Sequence, residues 1–328
     1  MTVRFPLHSA KRPDTLRFNE ELMKILFIGG TRFVGLAMAR EALQRGHQVD
    51  LFHRGTTQTA YLGGARELRG DRNSDLGALA AGQWDAVVDA CAYRPHEIGS
   101  MSAALGGRIG CYVFVSSVSV YADDIARGSD ESARRCDTGI LAADTLERVA
   151  IDARSYGPLK VLCEDEVRRQ NARSLLIRPT YVIGPHDYTQ RFPEWVRRIA
   201  AGGEIAAPGP RDEPAQCIDA RDLAGFTISA LESGLQGIFN AVGPADPMTF
   251  EDLLETIVAA VGPAGTRLHW LSVDEAKSSG QSYPLWGEGR YSGRSAVSAR
   301  AAYTRGLHCR PLAESTRDVL DWIRVGGK

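Results

Sequence analysis

Short unbroken apolar runs alternate with stretches in which apolar residues recur every three or four positions, and this alternation governs the first half of the chain. Residues 25–28 (I-L-F-I), 48–52 (Q-V-D-L-F), 85–90 (D-A-V-V-D-A), 111–116 (C-Y-V-F-V-S) and 175–178 (L-L-I-R) read as strands buried on both faces of a parallel sheet. Residues 67–71 (E-L-R-G-D) are expected to end one more strand, third in chain order. Helical spacing is predicted over 36–45, 76–81, 95–105 and 156–170, with Pro158 tolerated in the first turn of the last. Strands alternating with helices predict an α/β fold, a doubly wound parallel sheet with right-handed crossovers.

Beyond Pro179 the rhythm breaks. Gly184-Pro185, Gly202-Gly203 and Pro208-Gly209-Pro210 punctuate the chain and read as loops on a smaller lobe. Helices are expected over 222–231, 250–261 and 313–324, and a short strand over 237–242. The polar segment 128–144 reads as a loop or lid. Residues 1–22 carry basic and polar side chains and two prolines, without the apolar stretch of a secretory signal. Either Met23, directly before the first strand, is the natural start, or residues 1–22 are a loose extension.

Composition narrows the function classes. A chain of 328 residues with 44% hydrophobic residues can bury a full core, as one large or two modest domains. A net charge of −1 gives no strong field for nucleic acid or an anionic membrane. No apolar run approaches the ~20 residues of a membrane helix. Six scattered cysteines without a C-x-x-C pair read as reduced thiols of a cytoplasmic protein, with no zinc site.

Three stretches carry chemistry. Gly29, Gly30 and Gly35 lie between the first strand and the first helix. A helix N-terminus offers unpaired N–H groups and partial positive charge, and glycine lets a pyrophosphate approach them. That context favours a dinucleotide site over an ordinary strand–helix turn. Tyr156-Gly-Pro-Leu-Lys160 places a phenol and an ammonium four residues apart, on one helix face. A phenol ionises only near pH ~10, and a neighbouring ammonium stabilises its phenolate; the bland alternative is a surface Tyr–Lys pair. Ser116-Ser117-Val118-Ser119-Val120-Tyr121 ends the fifth strand, where open α/β sheets bind ligands. A hydroxyl there either hydrogen-bonds a reacting alcohol or ketone, or caps a turn.

In this order, the three stretches make the chain resemble the extended short-chain dehydrogenase/reductase family, in its NAD-dependent epimerase/dehydratase branch. The segments Arg178-Pro179-x-x-x-x-Gly184-Pro185 and Cys217-Ile218-Asp219-Ala220-Arg221-Asp222-Leu223-Ala224 extend the likeness, which covers roughly residues 24–324. The resemblance implies a Rossmann domain over 23–180 and a mainly substrate-binding lobe over 181–328, parts of which return to the sheet. It implies Tyr156 as acid/base, Lys160 as its partner and a ribose ligand, and Ser117 as the substrate-orienting hydroxyl, with Ser119 as the alternative. Gly29, Thr31, Arg32, Phe33, Val34 and Gly35 would surround the pyrophosphate. Asp71 would lie near the adenine, Cys91 along the cofactor and Pro179 near the nicotinamide. Substrate candidates are Tyr93, His186, Asp187, Arg191 and Gln216.

The departures from the family pattern are informative. Arg32 stands where the family has its middle glycine, as in a sub-branch that includes the chloroplast stem-loop RNA-binding proteins. His53-Arg54 replaces the acid that would bind a ribose 2′-OH, so Arg54, with Arg32, is expected to hold a 2′-phosphate and make NADP preferred over NAD. Ala215 occupies the position of the arginine that holds a sugar-nucleotide diphosphate, with Arg211 nearby. Val118 follows Ser117 where a dehydratase has an acid, which favours an epimerase or a reductase. Expected partners are a small-molecule substrate and at most a second copy in a homodimer, with no nucleic acid and no membrane. The rival classes are an RNA-binding protein of the stem-loop branch and a cofactor-sensing regulator without turnover.

Overall fold

A computed structural model describes residues 22–57, 62–141, 146–288 and 293–327. Residues 1–21 of the expected extension, 142–144 of the polar segment and 289–292 of the expected lobe lie outside the described residues. The first half runs β1 Lys24–Ile28, α1 Phe33–Gln44, β2 Gln48–His53, β3 Arg66–Arg69, β4 Trp84–Asp89, α2 Pro95–Leu105, β5 Ile109–Val115, α3 Tyr156–Gln170 and β6 Ser174–Pro179. The second half runs β7 Tyr181–Ile183, α4 Arg191–Ala201, β8 Glu204–Pro208, β9 Pro214–Ala215, β10 Cys217–Asp219, α5 Ala220–Glu232 and β11 Gly237–Ala241. It continues with β12 Met248–Thr249, α6 Phe250–Val261, β13 Arg267–Leu271, α7 Val273–Ser278, α8 Arg300–Thr304 and α9 Leu312–Arg324.

Seven strands form one parallel sheet in the order β11-β6-β5-β4-β1-β2-β3. The chain winds outward from β1 through β2 and β3, then returns to lay β4 on the other side of β1. That reversal opens a crevice at the carboxyl ends of β1 and β4, where such sheets bind ligands. Alternate side chains serve opposite faces. Ile25, Phe27, Val88, Val113 and Ile177 pack toward α1 and α5, while Leu26, Val87, Tyr112, Phe114 and Leu176 pack toward α2 and α3. Both faces are covered, which is why these strands read as unbroken apolar runs. β11 brings the second half of the chain back into the sheet, beside β6.

A third core joins Phe192, Trp195, Val196 and Ile199 of α4 to Phe250, Leu253, Leu254 and Ile257 of α6 and to Val319 of α9. The loops expected after Pro179 are therefore corrected: α4 and the short strands β7, β8, β9 and β10 occupy that region. Two smaller corrections concern the sheet and its connections. Around residues 76–81 only a single 3-10 turn forms, Gly77–Leu79. β3 ends at Arg69, and Asp71 instead bridges to Asp75 in a tight turn. Among the described residues no helix is long and apolar enough to cross a membrane.

Candidate active site

The glycine turn is built by close backbone approach. A Cβ on Gly35 would lie 2.1 Å from the Gly29 carbonyl oxygen, so only glycine lets α1 begin against the exit of β1. Gly29 has φ +82°, and a side chain there would strike Cys91 at 2.7–2.8 Å. Arg32 is the N-cap residue of α1 but gives no side-chain cap. The first-turn N–H groups therefore keep their capacity for an anion. The cradle a Cβ would fill and the uncapped helix start both fit a dinucleotide pyrophosphate.

The turn opens into a cleft of about 1540 Å³ that reaches the ends of β4, β5 and β6 and the first turn of α3. Ser117 lies on its wall as the N-cap of the 3-10 turn Val118–Val120. Its Oγ accepts from Ser119 N at 3.1 Å and donates to Ser119 Oγ at 3.1 Å. The capping role and a place on the cleft wall thus coexist. Tyr156 and Lys160 enter from α3. Gly157 lets α3 come this close, since a Cβ there would lie 2.3 Å from Ser119 O. Lys160 Nζ donates to Ala92 O and Val115 O, each at 2.9 Å, and only 3% of the residue is exposed. An ammonium has three donors, so one remains for the cleft. Nζ stands 5.9 Å from the Tyr156 ring centre and 5.0 Å from that of Tyr93, which is itself 6.2 Å from Tyr156.

Two buried ion pairs fix these strand ends, and sequence reasoning assigned neither. Arg178 reaches Glu164 at 2.6 and 2.8 Å, and Glu164 also accepts from Ser116 Oγ at 2.6 Å. Arg178 donates to the Tyr121 hydroxyl at 2.9 Å, and that hydroxyl to Asn240 at 2.7 Å. The network thus holds Ser116, and with it the backbone that carries Ser117. Arg72 forms a fork on Asp89 at 2.8 and 3.0 Å and donates to Glu97 O at 3.1 Å. Burial pushes Asp89 toward the neutral form, but Arg72, Tyr112 and the Cys91 amide together hold its carboxyl below the ordinary range. Burial, aided by Asp89, pushes the Cys91 thiol up to about 11, so it faces the cleft protonated.

All the expected cofactor residues, from Gly29 to Gly35 with Arg54, Asp71, Cys91 and Pro179, line this cleft. Arg54 is exposed at the end of β2, beside a buried His53 whose Nδ1 accepts from Gly55 N at 3.1 Å. Among the substrate candidates, Tyr93, Arg191 and Gln216 line the cleft too. Both ends of the Gln216 amide are bonded to Val297, at 2.9 and 3.0 Å, so its part is to pin the cleft wall. His186 is placed elsewhere, its ring 5.8 Å from that of Trp322 on α9. Asp187 is buried in its own turn, accepting from the amide and hydroxyl of Thr189. Tyr188, which no periodicity marks, lines the cleft between them and the glycine turn.

The sequence profile of the NAD-dependent epimerase/dehydratase family matches residues 25–241, well over half of the chain. The chain belongs to that family. It is 29% identical over 260 residues to the chloroplast stem-loop binding protein of 41 kDa b of Arabidopsis thaliana, covering 73% of this chain and 63% of that protein. It is 27% identical over 275 residues to a 2-alkyl-3-oxoalkanoate reductase of Stenotrophomonas maltophilia, covering 73% of this chain and 76% of that one. The Bordetella bronchiseptica enzyme WbmG, solved in complex with NAD and UDP, shares the fold with a TM-score of 0.68 at 14% identity. That match covers 93% of this chain and 96% of WbmG. The parallel sheet, the glycine turn and the Tyr-x-x-x-Lys helix are all present in this chain, while the two relatives carry names from different chemistries.

Proposed function

We propose that this protein is a nicotinamide-dinucleotide-dependent epimerase or reductase acting on a secondary alcohol or ketone carbon of a small, sugar-like or natural-product molecule. The observation that carries the reading is the convergence of Ser117, Tyr156 and Lys160 on the cleft that also contains the glycine turn. When bound, the nicotinamide would supply the hydride acceptor or donor. The turn from Gly29 to Gly35 would hold the pyrophosphate, and the remaining Lys160 donor the adjoining ribose. Tyr156 moves the proton: its phenolate takes the alcohol proton in oxidation, and its phenol returns one in reduction. Ser117 Oγ orients the reacting oxygen. The Lys160 ammonium stays fixed between two carbonyls, so it needs no reorganisation during reaction.

The reductase relative supports the arm in which the cofactor is consumed, and the family's epimerases support the arm in which it is recycled. Ala215, in place of a diphosphate-binding arginine, argues for weak binding of free UDP or dTDP. Substrate screening followed through nicotinamide absorbance tests the reading. Tyr156→Phe keeps the ring and removes the proton carrier, so kcat should fall ~10²–10⁴-fold with cofactor affinity little changed. A variant that retains most of the wild-type turnover overturns the mechanism. The stem-loop-binding relative favours a second reading, RNA binding. A gel shift that weakens steeply with salt would support it over the first.

A further inference from the structure

We infer that Tyr188 is a clasp that closes over the bound dinucleotide and sets its residence time; this rests on the reading of the glycine turn as the cofactor site. Tyr188 comes from the second lobe, on the segment between β7 and α4, yet it meets the glycine turn of the first. The Arg32 guanidinium carbon lies 4.0 Å from the centre of its ring, and the Phe33 ring meets it edge-on at 6.4 Å. Tyr93 stands close enough to interact with it electrostatically. Tyr93 in turn neighbours Tyr156 at 6.2 Å and lies under the Lys160 ammonium at 5.0 Å. Tyr188 and Tyr93 therefore line the cleft in succession from its pyrophosphate end to its proton-transfer end.

The segment that carries Tyr188 is rigidly made. His186 and Gln190 both take left-handed backbone angles, at φ +69° and +59°. Between them Asp187 is 1% exposed and accepts from Thr189 N at 2.9 Å and Thr189 Oγ1 at 2.6 Å. Gln190 Nε2 closes the turn on Asp187 O at 2.8 Å. Tyr188, at the apex, is 46% exposed although it faces a cleft. An aromatic ring with its backbone anchored and its surface left open is suited to cover a ligand. Arg32 supplies the complementary half. The family's glycine at this position has no side chain to stack, whereas the guanidinium here is held over the turn by the ring and adds positive charge where two phosphates would lie.

Cofactor release measured by stopped-flow nicotinamide fluorescence on the full chain tests the clasp, with NADPH and NADH as probes. Tyr188→Ala should release cofactor roughly ten-fold faster and bind it correspondingly more weakly, the size expected for losing a cation–π stack that the bound cofactor would shield from water. Its Tm without cofactor should fall only slightly, because the stack it loses there is exposed. Tyr188→Phe keeps the ring over Arg32 and should fall closer to the wild type than to Tyr188→Ala. Because the two halves act as one unit, Arg32→Ala combined with Tyr188→Ala should be no worse than either alone. Release from Tyr188→Ala at the wild-type rate, or fully additive losses in the double variant, would overturn the clasp and leave the dehydrogenase reading standing. A wild type that binds neither dinucleotide would remove both.

Discussion

Lys160 carries its ammonium in a place almost closed to solvent, and a buried charge is tolerated only when it is bonded. The carbonyls of Ala92, in the loop between β4 and α2, and of Val115, at the end of β5, do this, so the residue ties those two segments together as well as serving the cleft. Lys160→Met should therefore lower Tm and weaken cofactor binding together, whereas Tyr156→Phe should leave both nearly unchanged. Asp187 makes the opposite case. Burial, the largest influence on it, raises its carboxyl above the ordinary range, against the bonds from Thr189, and its Oδ2 has no partner. A folded-state pKa above the unfolded value of ~3.9 means that this group's contribution is fully present below that pH and is lost as pH rises through the folded value. Asn keeps the Oδ1 acceptor and abolishes the titration. Thermal melts from pH 4 to 8 should then show Asp187→Asn gaining on the wild type as pH rises, and a constant gap would refute the assignment.

At the scale of elements, the buried pair between α3 and β6 is the strongest single dependency. Removing one partner of such a pair leaves an uncompensated charge, at a cost of about 3–5 kcal/mol. Arg178→Leu is expected to destabilise by that order in urea melts, while Glu164→Leu combined with Arg178→Leu should restore part of the loss. A double variant no more stable than the single would show that the pair's other bonds, to Ser116 and Tyr121, dominate. How much of this was legible follows from the same physics. β1, β4, β5 and β6 were legible because both their faces are buried, and α2, α3 and α6 because their spacing is regular over three or more turns. The short strands of the second lobe were not, because β7, β9, β10 and β12 are two or three residues long and pair with partners distant in sequence. α4 could have been found: Phe192, Trp195, Val196 and Ile199 follow the i, i+3, i+4, i+7 pattern, masked by Pro193 in the first turn and by flanking glycines. Of the site, Gly29, Gly35, Ser117, Tyr156 and Lys160 stood out because the residue type itself is demanded by the chemistry. Arg72, Arg178 and Tyr188 act through partners 14 or more residues away, which no local pattern reveals.

At the scale of the whole molecule, the cleft joins the two lobes, so any ligand it binds stabilises the assembled fold by RT ln(1 + [L]/Kd). Cofactor choice can therefore be read from global melting. The end of β2 offers no free acid to a ribose 2′-OH. His53 bonds its own turn, and Glu67 on β3 lies toward His53 at 3.6 Å and Arg69 at 3.2 Å. Arg54 stands exposed at the cleft edge, where a 2′-phosphate would gain a charge-assisted contact that a hydroxyl does not. We expect NADP to raise Tm more than NAD at equal concentration. The difference should shrink as salt is added, because an exposed contact is screened within about 8–10 Å at ~0.1 M ionic strength. Arg54→Ala should bring the two cofactors level by weakening NADP while leaving NAD unchanged. Titration calorimetry then separates the outcomes. NAD bound ten-fold more tightly than NADP would refute the preference. An NADP preference that survives Arg54→Ala would instead move the phosphate contact to Arg32, whose guanidinium Tyr188 holds over the same turn.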